Sequence, residues 1–126
     1  MRKLGLSLAF IFIVSACVKT LGKGGLERST AQAREFTGEV WDSTCSPSGT
    51  HDRMMQQVNA TDARECSQKC VEAGANYVLY DPTTRTTYYI DDQDKASDFA
   101  GEKVKITGGF DDATQTIQVQ SIDRIS

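Results

Sequence analysis

The chain has no apolar run long enough to cross a bilayer, no basic cluster and no nucleotide-binding or hydrolase motif. Each absence removes a class of function. The stretch Leu4–Val14 is eleven residues without a charge, well short of the ~20 that span ~30 Å of hydrocarbon. Lys103 and Lys105 come nearest to a basic patch, on alternate positions of one exposed strand face. Fourteen Lys and Arg stand against seventeen Asp and Glu, so the phosphate contacts that dominate nucleic-acid binding have no source here. Walker, Rossmann and G-x-S-x-G patterns and internal repeats are missing. Among the four cysteines there is no C-x-x-C, the spacing that thiol–disulfide exchange prefers. There is one histidine, so any role that needs an imidazole falls on His51.

What the chain does have begins at its N-terminus. Arg2 and Lys3 precede the apolar run, and Val14-Ser15-Ala16-Cys17 follows it, the layout of an export signal. The tetrapeptide resembles the lipobox of bacterial lipoproteins, where the cysteine is acylated and becomes the mature N-terminus. Val14-Ser15-Ala16 also fits ordinary signal peptidase, which would leave a soluble periplasmic or secreted product. Residues 1–16 are expected to be a signal peptide and Cys17 to be lipidated, placing the protein in the bacterial cell envelope. Val18–Glu35 has Gly22, Gly24, Gly25, Ser29 and Thr30 and few large apolar residues, a composition that cannot bury a core. Residues 17–35 are therefore expected to be a lipid-anchored flexible tether, reaching about 25 Å root-mean-square.

Residues 36–126 remain, enough for one small core that needs additional support. The stretch 36–41 alternates Phe36, Gly38 and Val40 with polar neighbours, as a half-buried strand does. Thr61 as cap, Asp62 in the first turn and Gly74 as stop predict a helix over 61–73, with Glu65 and Lys69 as an i,i+4 pair. Ala63, Cys66, Cys70 and Ala73 form its small apolar stripe. Period two returns in Tyr77–Tyr80 and Thr86–Ile90, joined by a turn with Pro82 at its second position. A short helix over 95–100 ends at Gly101. Val104, Ile106, Gly108 and Phe110 alternate on a fourth strand, and Ile117 and Val119 lie on a fifth running toward Ile122. The expected core is Val40, Leu79, Ile90, Val104, Ile106, Phe110, Ile117 and Val119, with Phe99 plugging one end.

The fold expected is mainly β: a five-stranded OB-like barrel with one helix inserted between strands 1 and 2 and a short helix between strands 3 and 4. The closing half, residues 99–108 followed by Thr116–Val119, looks like the end of small exported bacterial OB-fold proteins. Asp42-Ser43-Thr44-Cys45, His51, Met54, Cys66, Cys70-Val71 and Tyr77–Tyr80 together resemble a family of exported bacterial OB-fold-like proteins with a Cys/His-containing insert. The resemblance implies fold and export; it implies no activity.

The insert, residues 44–76, holds three cysteines, the histidine and two of the three methionines. An oxidising compartment and a small core favour a structural disulfide. Cys66 and Cys70, one helical turn apart, are poorly oriented to bridge each other. The expected bridge is Cys45–Cys70, with Cys66 as the alternative partner, closing a loop worth roughly 3 kcal/mol. The alternative use of the same residues is a metal set of Cys45, His51, Cys66 and Cys70 for zinc or copper, with a Met54 or Met55 thioether available to copper. The spacing C-x5-H…C-x3-C matches no standard zinc pattern. A Cys–His nucleophile oriented by Asp42 or Asp52 is conceivable, but nothing in the spacing fixes such geometry, so no catalytic residue is assigned. OB-folds bind ligands on the face of strands 2 and 3, which makes Tyr80, Tyr88 and Tyr89 a candidate ligand face. Tyr88 and Tyr89, being adjacent, must point to opposite sides.

The sequence thus predicts a non-catalytic envelope lipoprotein: a binding or interaction module at a membrane surface, with an unknown protein or small ligand as partner, no nucleic acid and no cofactor. The alternative is a periplasmic metal-binding or redox-sensing module built on the Cys/His insert.

Overall fold

The structure, a computed structural model, describes residues 32–126. The expectations for the signal peptide, Cys17 and most of the tether lie outside the described residues. Five strands form one sheet: β1 (Arg34–Asp42), β2 (Tyr77–Asp81), β3 (Thr86–Ile90), β4 (Lys103–Asp111) and β5 (Thr116–Arg124). The sheet closes on itself in the order β1-β2-β3-β5-β4. All neighbours are antiparallel except β3 and β5, which meet in parallel over Tyr89–Thr116 and Ile90–Ile117. β1 begins at Arg34, two residues before the expected start, because Arg34 and Glu35 pair with Gly108 and Thr107 of β4.

Long β1 is shared between two partners, β4 along its first half and β2 along its second. That sharing needs backbones to cross closely. A Cβ on Gly38 would come 2.5 Å from the Tyr80 carbonyl oxygen, so glycine is required where β1 passes from one partner to the other. Where β4 pairs with β5 the register shifts between Thr107 and Gly108, which leaves Gln120 of β5 as the extra residue of a bulge.

Inside the closed sheet lie Val40, Leu79, Ile90, Val104, Ile106 and Ile117, all buried, with Phe110 and Val119 packed at the margin. The expected core is therefore found as read. Its plug differs in detail. Helix α3 (Gln93–Ser97) starts two residues early because the Asp92 side chain accepts from Lys95 N–H. Ala96 and Ala100 are fully buried in the end of the sheet, while Phe99 is half-buried beneath the Arg124 guanidinium.

The connection from β1 to β2 holds more structure than expected. A 3₁₀ turn (Ser46–Ser48) and a helix α1 (Asp52–Val58) precede α2 (Ala63–Glu72). α1 was not visible in the sequence: its only apolar residues are Met54, Met55 and Val58, and none of its seven residues is buried. The cap of α2 is Asp62, whose carboxylate accepts from Glu65 N–H, rather than Thr61. Thr61 instead donates to the Glu65 carboxylate, completing the reciprocal arrangement of a capping box one position over. Lys69 pairs with Glu65 and also donates to the Val58 and Asn59 carbonyls. It thereby ties the C-terminus of α1 to the middle of α2.

The insert covers one side of the sheet. Tyr77, Val78, Leu79 and Tyr80 are buried on both faces of β2, and at the end of β1 Trp41, on the side opposite Val40, and Asp42, the last residue of the strand, are buried as well. Among the described residues, no helix is long and apolar enough to cross a membrane.

Candidate functional site: the thiol–imidazole cluster

The end of β1, the 3₁₀ turn, the start of α1 and one face of α2 converge on a small buried volume. β1 delivers Asp42, the turn delivers Cys45, α1 is preceded by His51, and α2 presents Cys66 and Cys70 on successive turns of the same face. All five are buried. Cys45, His51 and Cys66 each offer a ligand atom within 4.8 Å of the other two, and so do Asp42, Cys45 and Cys70. Cys45 belongs to both groups. Met54, Met55, Val58, Ala60 and Ala75 pack around the three sulfurs.

Asp42 holds this arrangement together. Its Oδ1 accepts from the N–H groups of Thr44 and Cys45, at 3.0 and 2.9 Å, and its Oδ2 accepts from Ser67 Oγ at 3.2 Å. One carboxylate thus fixes the start of the insert and fastens α2 to the sheet. His51 lies against the indole of Trp41, with ring centroids 4.2 Å apart, and Trp41 in turn stacks on Tyr80 at 4.3 Å.

His51 is the anomaly. Both ring nitrogens are buried and neither has a hydrogen-bond partner. Its nearest charge is Asp42 Oδ2, 3.9 Å from Nδ1, beyond hydrogen-bond range. A buried polar atom left without a partner costs about 1–3 kcal/mol. Burial holds the imidazole pKa below its ordinary value, with Asp42 opposing but not reversing the shift. The thiols move the other way: burial, then the adjacent Asp42 carboxylate, raises Cys45 well above the usual thiol range and lifts Cys70 to about 11. Burial also raises Cys66. Each shift favours the protonated thiol.

The expected Cys45–Cys70 disulfide is not formed, nor its Cys45–Cys66 alternative: all three cysteines are free, buried thiols. The proximity behind that expectation is present, but it is shared. Cys45 is anchored by Asp42 at a position that faces both α2 sulfurs, so the geometry is a cluster of three and not a single pairing. Of the four residues read as a metal set, Cys45, His51 and Cys66 lie within 4.8 Å of one another, and Cys70 comes within that distance of Cys45 in a second group with Asp42. The tyrosines read as a ligand face are not brought to one face. Tyr88 points inward, 5.3 Å from Phe36 and 5.7 Å from Phe110, while Tyr80 is buried under the insert against Trp41. Tyr89 alone is open to solvent, at 49% exposure, on the side opposite Tyr88 as alternation requires. Trp41 and Ser67 were missed as neighbours of the cluster. The alternation of β1 did place Trp41 away from the core, and Ser67 sits between the two cysteines of α2.

The buried neutral imidazole makes stability depend on pH with a definite sign. His51 is protonated more readily in the unfolded chain, near pH 6.5, than in the folded one. Its contribution is complete above that pH and declines as the pH falls toward the lower folded value. Denaturant melts from pH 7.5 to 5 are expected to show a falling midpoint in the metal-free protein. His51→Gln should flatten that slope, since no other histidine exists; an unchanged slope would exclude His51 as its origin.

Comparison with protein-family models, with curated proteins and with solved structures finds no match for this chain.

Proposed function

We propose that this protein is a non-catalytic, membrane-anchored module of the bacterial envelope whose OB-like closed sheet carries a soft-metal site. Its donors, for zinc or copper, are drawn from Cys45, His51, Cys66 and Cys70, with Cys45, His51 and Cys66 as the mutually close group and Cys70 beside Cys45. The observation that carries the reading is the orphaned imidazole. A buried histidine with both nitrogens unpartnered, within 4.8 Å of two thiols, has a nitrogen lone pair that no protein donor takes up and that a metal ion can accept. Thiolates and imidazole suit zinc and copper in preference to magnesium or calcium. Binding also displaces thiol protons, which offsets the raised thiol pKa values only at a cost in affinity at low pH.

The test is direct. The full chain carrying Cys17→Ser, reduced under anaerobic conditions, is expected to retain one equivalent of zinc or copper(I) after desalting. Trp41, the only tryptophan, should report occupancy through a fluorescence change because it touches His51. Failure to retain either ion, with a Cys45–Cys70 or Cys45–Cys66 peptide found on non-reducing mapping, would replace the metal site with a structural disulfide.

The anchoring half of the reading rests on the apolar run and Val14-Ser15-Ala16-Cys17. In a bacterial host the wild-type chain is expected to partition into detergent, and Cys17→Ser to remain in the aqueous phase. Equal partitioning of the two would exclude lipidation.

A further inference from the structure

We propose that the ion is copper(I), admitted through the cavity where Cys45 meets Met54, with the Met54 thioether completing its coordination. This rests on the metal reading above and narrows it. A cavity of about 340 Å³ opens onto the cluster, lined by Thr44, Cys45, Ser48, Thr50, Arg53 and Met54. It leads to the one sulfur that both candidate ligand groups share. Met54 is half-buried and does two things at once: it lines this cavity and packs on the three thiols.

The chemistry of the lining discriminates between ions. It carries no carboxylate, so a hard or strongly hydrated divalent cation finds only hydroxyls and the Arg53 guanidinium on its way in. Ser48 is already engaged with the Cys45 and Thr50 carbonyls. The thioether is a soft donor that adds little for zinc and suits copper(I). Coordination number points the same way. A closed zinc site wants four ligands in a tetrahedron, but Cys45, His51 and Cys66 form one tight group, and Cys70 falls in another with Asp42. Asp42 has both oxygens committed to Thr44, Cys45 and Ser67. Copper(I) is satisfied by three ligands with a supporting thioether, and Met54 packs against the sulfurs of that group. On binding, Cys45 and Cys66 lose their thiol protons to solvent and the copper stays in its +1 state, so no oxidant or reductant is required.

The full chain with Cys17→Ser is titrated anaerobically with copper(I) against a chromogenic chelator, and separately with zinc. Met54→Leu, close in volume and still apolar, is compared in both. The variant is expected to bind copper(I) about tenfold or more weakly, the scale seen when a supporting group around a metal is lost. Its zinc affinity and thermal midpoint should be unchanged. Copper X-ray absorption on the wild type should show a sulfur-dominated shell with one nitrogen, and Met54→Leu should lose one sulfur. Equal copper(I) affinity of wild type and Met54→Leu, or an unchanged sulfur shell, would overturn the assignment of Met54 and with it the copper proposal. Equal loss of both metals would make Met54 a packing residue and also overturn it. In either case the metal site itself would stand. Failure of the wild type to hold either ion would instead remove the metal reading.

Discussion

Cys45→Ser is expected to abolish metal retention while leaving the fold intact. Cys45 is the only residue in both ligand groups, and it lies at the base of the cavity that opens to solvent. Serine keeps the shape and the backbone N–H that Asp42 accepts, but replaces a soft thiolate with an alcohol that does not ionise in the accessible range. Losing an outer partner of a ligand already costs about 10–100-fold in affinity, so loss of the shared ligand should exceed ~100-fold. Cys70→Ser should cost less, because Cys70 shares the sulfur cluster but lies outside the mutually close group that includes His51. Chelator competition ranks the two variants, and a denaturant melt of each shows that the fold survives. Equal affinities of Cys45→Ser and wild type would exclude the cluster as the binding site. Non-reducing mapping of the oxidised protein adds a second check, since Cys45→Ser removes both disulfides that the sequence allows.

The closed sheet was legible in the sequence because its strands bury one face and alternate. Val104, Ile106, Gly108 and Phe110 read as period two, and β3 is found at Thr86–Ile90 as expected. The misses fall where that rule stops applying. β2 is found at Tyr77–Asp81, covering the expected Tyr77–Tyr80, but it is buried on both faces because the insert lies over it, so Tyr77, Val78 and Tyr80 did not read as buried positions. α1 was missed because a helix of seven residues that docks two methionines and a valine has almost no apolar period to detect. The α2 cap slipped by one residue because Thr61 and Asp62 are both good capping residues, and only the structure shows that the Asp62 carboxylate, and not the Thr61 hydroxyl, accepts from Glu65 N–H.

The site was legible as a list and not as a geometry. Cys45, His51, Cys66 and Cys70 stand out by residue type, and α2 periodicity puts two sulfurs on one face. Nothing in the spacing of Cys45 and His51 says that the turn and α1 will fold back to meet that face, since this depends on where β1 ends and what its last residue binds. That residue is Asp42, and its importance comes from burial, which composition does not reveal. The three tyrosines do not share one face, because Tyr88 turns toward Phe36 and Phe110 while Tyr80 lines a cavity with Trp41 and Arg85 at the edge of the insert; strand numbering alone does not show where the insert covers the sheet.

Asp42→Ala is expected to be among the most destabilising substitutions outside the apolar core, at about 3–5 kcal/mol, because it leaves three hydrogen-bond donors without an acceptor at ~1–3 kcal/mol each, less what entering water recovers. Asp42 is fully buried, and Thr44 N–H, Cys45 N–H and Ser67 Oγ all converge on it. Against a total stability of about 5–15 kcal/mol for a domain of this kind, such a loss separates the insert from the sheet or unfolds the chain. Asp42→Asn isolates charge from shape. Its oxygen can keep the two backbone donors, and its amide can donate to Ser67, so its cost should be only ~1 kcal/mol. Removing the carboxylate should also lower the Cys45 pKa, since Asp42 is the second cause, after burial, of its elevation. Alkylation of Cys45 at fixed pH should therefore be faster in Asp42→Asn than in wild type. Denaturant melts of the two variants, with alkylation followed by peptide mass, test both halves. A loss below 1 kcal/mol in Asp42→Ala would mean the insert is held to the sheet by apolar packing alone. An unchanged Cys45 rate in Asp42→Asn would show that burial by itself keeps the thiol protonated until a metal displaces the proton.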